Sequence, residues 1–177
     1  QIAEQILDSK QADMCGMTRA MISDPEMPNK AQSGHADDIR ACIGCNQACI
    51  GHFHGGFPIS CIQNPVSGRE LRYGTMEPAN EIKTVMVIGG GPAGMKTAVI
   101  AAQRGHHVTL HEKTAQLGGQ VLLAQLLPTR AEFGGAITNL MQEMQLSGVT
   151  VCLNSEINLE QIKAENPDCV VLATGAS

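Results

Sequence analysis

Cys42, Cys45, Cys49 and Cys61 stand in the spacing C-x2-C-x3-C-x11-C. Thiols at such intervals are suited to hold a metal centre: a short loop supplies several ligands and a more distant cysteine supplies the last. The loop also contains Gly44, Asn46, Gln47, Gly51, Gly55 and Gly56, turn-forming residues that leave little regular structure in which three thiols could be buried. Ligation therefore ranks above core packing. An iron–sulfur cluster fits better than structural zinc, because zinc ribbons show two separated C-x2-C knuckles and only Cys42 and Cys45 make one. Zinc stays open as the second reading and unligated thiols as the third. Disulfides rank last, since seven cysteines is an odd count and nothing resembles a secretory signal, so a reducing, cytoplasmic setting is expected.

The remaining thiols, Cys15, Cys152 and Cys169, lie in apolar runs and read as small hydrophobes. His52 and His54 flank Phe53 inside the long spacer. A metal or flavin contact is conceivable for them, but two loop histidines read first as solvated side chains.

The second chemical signature is Gly89-Gly90-Gly91-Pro92-Ala93-Gly94. It closes an expected strand at 84–88, opens an expected helix that stops at Gly105, and is followed about 20 residues on by Glu112, which is the full context of a dinucleotide-binding turn. In that motif Gly89 permits the tight turn, Gly91 lets backbone approach a pyrophosphate, and Gly94 lets helix and strand pack closely. The helix N-terminus offers unpaired N–H groups to phosphate. Glu112 is suited to accept hydrogen bonds from an adenosine ribose and would repel a 2′-phosphate, which favours FAD or NAD over NADP at this turn. A structural glycine turn is the bland alternative. Gly119, in the loop Leu117-Gly118-Gly119-Gln120, could sit against the same ligand.

These residues need a scaffold. With 177 residues and 43% apolar content the chain can build one medium domain or two small ones. A net charge of −5 with 12 Lys and Arg, and 2% aromatic residues, offer neither a basic stripe nor stacking platforms for nucleic acid. No apolar run reaches the length of a membrane span. The pattern predicts an amphipathic helix at 2–10, a short strand at 12–17 and then Thr18-Arg19, the order of a closing βα unit in a parallel barrel. Residues 24–29 read as a turn and 37–41 as a short helix leading to Cys42. Beyond a boundary at 78–80 come a second strand near 108–110, a helix at 132–145 burying Ile137, Leu140, Met141 and Met144, strands at 149–153 and 169–173, and a helix at 159–165. The start without Met, on what reads as mid-helix, suggests a piece of a longer polypeptide.

The cysteine array, followed by Ser60-Cys61-Ile62-Gln63-Asn64-Pro65 and then by the glycine motif, resembles the multi-domain flavoenzymes related to 2,4-dienoyl-CoA reductase and trimethylamine dehydrogenase. The resemblance implies an α/β protein in three parts: residues 1–30 as the end of an FMN-binding (β/α)8 barrel, 31–80 as a [4Fe-4S] segment, and 81–177 as the first part of a Rossmann-like, doubly wound FAD domain. It implies Thr18 and Arg19 at the FMN phosphate, Cys42, Cys45, Cys49 and Cys61 on the cluster, and Ala93, Glu112, Gln120 and Arg130 at the FAD. The three-residue gap between Cys45 and Cys49 is similar to the dienoyl reductases, which favours FAD over ADP. The spacer from Gly51 to Pro58 is closer to relatives that demethylate small N-methyl compounds. The activity so implied passes electrons from NAD(P)H through FAD, cluster and FMN to an enoyl- or dienoyl-type small molecule. Amine dehydrogenation or N-demethylation is the alternative, and a non-catalytic electron-transfer or zinc-stabilised nucleotide-binding module is the alternative of another class. A homo-oligomer or an external electron carrier is the expected partner. Ala173-Thr174-Gly175 resembles the point of hand-over to an inserted NAD(P)H domain that this chain lacks, and no catalytic residue is expected within it.

Overall fold

The computed structural model describes residues 2–176. Gln1 and Ser177, the outer limits of the first and third expected parts, lie outside the described residues. The chain opens with α1 (Ile2–Asp8), α2 (Thr18–Ser23) and α3 (Met27–Gln32), then a 3-10 turn (Ala36–Asp38), a π turn (Gln47–Gly51), α4 (His52–His54) and α5 (Glu70–Tyr73). The α/β part follows as β1 (Thr84–Ile88), α6 (Pro92–Gln103), β2 (His107–His111), α7 (Val121–Ala124), a 3-10 turn (Ala131–Phe133), α8 (Gly134–Ser147), β3 (Thr150–Cys152), α9 (Leu159–Glu165) and β4 (Cys169–Leu172).

The four strands form one parallel sheet in the order β3-β2-β1-β4, the arrangement with which a dinucleotide-binding sheet begins. β1 is a run of β-branched and apolar residues because it lies between two neighbours and is covered on both faces; Val85, Met86 and Val87 are all buried. Val87 pairs with Leu110 on one side and Val171 on the other. Val85, Val87, Val108 and Leu110 pack against Met95, Ala98 and Val99 of α6 and Ile137 and Met144 of α8. Each large side chain buried there stabilises the sheet by about 1.5–3 kcal/mol.

Several expectations need correction. No strand forms at 12–17: the backbone there is irregular and Met14 is exposed, since an isolated strand has no neighbour to take its N–H and C=O groups. The segment expected to close a barrel is thus helical only among the described residues, and α1 buries none of its residues. The expected turn at 24–29 gives way at Met27 to α3, with Pro28 in its first turn, where a missing N–H is harmless. The helix expected at 37–41 is instead the shorter 3-10 turn. Met141 is exposed while Ile137 and Met144 are buried, because only one stripe of α8 meets the sheet. Cys169 is exposed at the start of the edge strand β4, so it does not pack as a small hydrophobe.

Candidate functional site

At the C-terminal ends of β1, β2 and β4 the chain opens a cleft of about 620 Å³. Gly89 leaves β1 at φ +114°, and its N–H donates to His111 O at 2.8 Å. A Cβ on Gly89 would run into Ala173 O, and one on Gly94 into Gly89 O and within 3.2 Å of Ala173 Cβ. These two glycines let strand end, helix start and the exit of β4 meet backbone to backbone. Gly91 differs: nothing lies within 4 Å of where its Cβ would be. It precedes Pro92 at the start of α6, which has no side-chain cap, so the amides of the first turn are left for a ligand.

Gly89, Gly91, Ala93, Glu112, Gly119 and Gln120 all line the cleft, facing residues 155–157 and 173–176. Gly94 lies beneath it. Arg130 is not among the lining residues; its guanidinium sits 5.2 Å from the ring centre of Phe133. Gln120 Nε2 donates to Ala176 O at 3.2 Å, linking the glycine loop to the chain beyond β4.

Glu112 is buried and already engaged. Its Oε2 accepts the Gly90 N–H at 2.7 Å, and its Oε1 accepts both the N–H and the hydroxyl of Thr114 at 2.9 Å. Burial opposes ionisation, but the Thr114 and Gly90 bonds and the nearby Lys113 outweigh it and hold the carboxyl below its ordinary range. The carboxylate is therefore charged at neutral pH, with a lone pair on Oε2 still open to a donor. Behind it, buried His111 pairs through Nδ1 with Ser155 Oγ at 2.9 Å, while its Nε2 stands 3.8 Å from Glu165 Oε2. The sequence reading had no signal for His111, whose role in the wall appears only once β2 and β3 lie side by side.

The cysteines occupy a second site. Gly44 at φ +63° and Asn46 at φ +55° turn the chain between Cys42 and Cys49, and the π turn that follows carries Cys49. Ser60 N–H donates to Ala48 O at 2.8 Å, bringing the Cys61 stretch back beside that turn. Cys42, Cys45, Cys49 and Cys61 consequently border one small hollow together with Arg19. Among the described residues no group of three or more His, Cys, Asp or Glu is arranged to hold a single metal ion. Arg19 Nη1 donates to Asn46 Oδ1 at 3.2 Å, so α2 touches the cysteine loop; Thr18, one residue earlier, is exposed. His52 Nδ1 lies 3.0 Å from Pro58 O, and His54 packs edge-on to Phe53.

Sequence reasoning missed the polar residues between the two sites. Arg40, Gln63, Asn139, Gln142 and Glu143 join the cysteine segment to α8. The only available signal was the i, i+3, i+4 spacing of Asn139, Gln142 and Glu143, which also describes any solvated helix face.

Residues 83–177 match the pyridine nucleotide-disulphide oxidoreductase family. Over 177 residues the chain is 42% identical to the NADH oxidase of Thermoanaerobacter brockii, covering 99% of this chain and 27% of that protein. It is 39% identical to the N,N-dimethylglycine/sarcosine dehydrogenase of Chromohalobacter salexigens, over 98% of this chain and 25% of the relative. Among solved structures, a 2-naphthoyl-CoA reductase superposes with a TM-score of 0.94 at 36% identity, over 99% of this chain and 27% of that one. The chain thus spans about a quarter of the length of these relatives. No helix among the described residues is long and apolar enough to cross a membrane.

Proposed function

This chain belongs to the pyridine nucleotide-disulphide oxidoreductase family, and on that premise we propose that the full-length protein is an iron–sulfur flavoprotein oxidoreductase. In this reading residues 81–177 bind FAD, 31–80 a [4Fe-4S] cluster, and 1–30 close an FMN-binding barrel with Thr18 and Arg19 toward the phosphate. Electrons from NAD(P)H reach an enoyl- or dienoyl-type small molecule. The observation that carries the reading is the shared hollow: four cysteines from a turn, a π turn and an irregular returning stretch border one space, in the same chain as the glycine-lined cleft.

The residues fit the groups assigned to them. An all-thiol donor set suits iron–sulfur ligation, and four thiols spread round a hollow suit a group with four corners better than one tetrahedral ion. The cleft has an uncapped helix start for a pyrophosphate, an open face at Gly91 and an ionised Glu112 for ribose hydroxyls. When bound, the flavins and the cluster supply hydride and single-electron chemistry. This chain's residues bind and orient: the Gly90 and Thr114 groups hold Glu112 ionised, and Cys42, Cys45, Cys49 and Cys61 would hold the iron of the cluster. The Chromohalobacter salexigens relative supports a second reading, oxidation of a small N-methylated compound by the same centres.

Anaerobic purification of the full-length protein, with iron, acid-labile sulfide, FMN and FAD quantified per chain, tests the proposal. About four irons and four sulfides with both flavins are expected. Zinc without flavin would overturn it. Turnover of an enoyl thioester against an N-methyl amino acid then separates the two readings.

A further inference from the structure

The cysteine segment and the α/β part meet along α8, and one carboxylate stands at the crossing. Glu143 Oε1 lies 2.6 Å from Arg40 Nε, and its Oε2 lies 2.6 Å from Lys96 Nζ. Lys96 belongs to α6, whose first turn faces the dinucleotide cleft. Arg40 precedes Cys42 by two residues, and its Nη1 donates at 3.2 Å to the carbonyl of Gln63, two residues past Cys61. A single side chain therefore reaches the helix that begins the cleft and, through Arg40, both ends of the cysteine array.

Neighbours on α8 repeat the link. Asn139 Nδ2 donates to Ala41 O at 3.0 Å and to Gln63 Oε1 at 2.7 Å, and Gln142 Nε2 donates to Asp38 Oδ1 at 2.8 Å. Apolar packing along this seam is incomplete, because a cavity of about 300 Å³ separates Ile43 and Ile62 on the cysteine side from Val121, Phe133 and Leu140 on the other. Close packing holds parts in register only where side chains interdigitate. Here polar contacts carry that task instead: hydrogen bonds from Lys96, Asn139 and Gln142, and the Arg40–Glu143 ion pair, in which Arg40 Nε is close to the carboxylate without a hydrogen bond to it. A partly buried ion pair adds little net stability compared with an apolar replacement, so the expected effect of these groups is on position.

We propose that Glu143 is a positioning residue that holds the cysteine hollow at one fixed separation from the dinucleotide cleft. The inference rests on the proposed function, in which the hollow and the cleft each hold a redox centre.

The test uses the full-length protein, held anaerobic, with the Glu143→Gln variant and a second, Lys96→Gln, which cuts Glu143 from α6 while leaving it paired with Arg40. After rapid mixing with NADH or NADPH, flavin bleaching and the electron paramagnetic resonance signal of the reduced cluster are followed separately. The expected result is unchanged iron, sulfide and flavin content and an unchanged first phase of bleaching, that of the flavin reduced directly by NAD(P)H, with the cluster signal and the later flavin phase delayed on the order of tenfold, the scale of a small misplacement of reacting groups. If Glu143→Gln loses its cluster on folding, the second variant decides by the same readouts. Cluster reduction at the wild-type rate in a variant that keeps its cluster overturns the positioning role alone. A wild-type protein without cluster or flavin overturns the proposed function, and this role with it.

Discussion

The α/β part and the cysteine part are held together by opposite means. In the first, ten apolar residues form one core between sheet and helices. In the second, the buried residues are Ser23, Asp24, Ser60 and Asn64, and Ile43 is the only buried apolar residue described before β1. Asp24 accepts from Lys30 Nζ at 2.6 Å, from Arg40 N–H at 2.9 Å and from Glu26 N–H at 3.1 Å. Asn64 donates to Ile22 O, and Ser23 Oγ to Arg40 O. A core tolerates small errors in geometry, whereas a hydrogen-bonded scaffold does not. The thiols therefore stand on the half whose shape depends on individual bonds, and a group held by four thiolates would itself be a main source of that half's stability.

The largest effect is expected within the α/β half, at Gly94. Gly94→Ala forces a methyl group into Gly89 O, and a loss of about 3 kcal/mol or more is expected in chemical denaturation. Gly91→Ala, with nothing within 4 Å, should cost only about 1 kcal/mol, as for a helix-cap glycine, while lowering the FAD content of the purified protein. Equal losses of stability at the two positions would refute the distinction between packing and ligand-facing glycines.

Leu110→Ala removes a fully buried core side chain and should cost about 3 kcal/mol. Leu71, wholly exposed in α5, should change stability by less than about 0.5 kcal/mol when made Ala. A comparable loss at both sites would mean that the cysteine half has a core the described residues do not show.

The polar half has its own signature in acid. Burial disfavours the charged form of Asp24, but Lys30 and the Arg40 amide outweigh it and hold the carboxyl below its ordinary value of 3.8. A carboxyl whose pKa is lowered by folding contributes stability that is complete above its unfolded pKa and is lost as pH falls through the folded one. Wild type should therefore lose this contribution only below about pH 4. Asp24→Asn should be less stable by about 2 kcal/mol at neutral pH, with the gap closing in acid. A gap independent of pH between 2 and 7 would show that the charge of Asp24 is not what matters; the range is on the order of the carboxylate titration window.

The smallest effect lies in the link before α8. Thr129 is a β-branched residue at φ +63°, a conformation that costs an L-residue about 1–2 kcal/mol. Thr129→Gly relieves it at some cost in chain entropy, and a net gain of at most about 1 kcal/mol in thermal unfolding is expected. A loss would place the strain elsewhere in the link.

The α/β part was legible because its signals are local and repeated. Apolar β-branched runs gave β1 and β2, the glycine spacing gave the turn into α6, and Glu112 followed at the expected distance; the four strands and α6, α8 and α9 lie within a few residues of the expected limits, whereas α7 had no expectation. The cysteine spacing was likewise readable in one dimension, and its four members do border one hollow. The failures fell where a segment needs a partner that its own sequence does not name. Residues 12–17 have strand-like composition and, among the described residues, no neighbouring strand, and Met141 has helical spacing on a side of α8 that no described residue covers.

Residue types and spacing by themselves determined the parallel α/β architecture, the glycine-lined turn and the grouping of thiols, since each follows from backbone sterics or periodicity within a short stretch. Only the tertiary structure decided what lies between them. It turned Arg19 to the cysteine loop, gave Glu112 its amide partners, and set Glu143 between Arg40 and Lys96. The physical reason is range: a polar side chain has no preferred direction along the sequence, and its partner is chosen by whatever donor or acceptor the fold brings within about 3 Å.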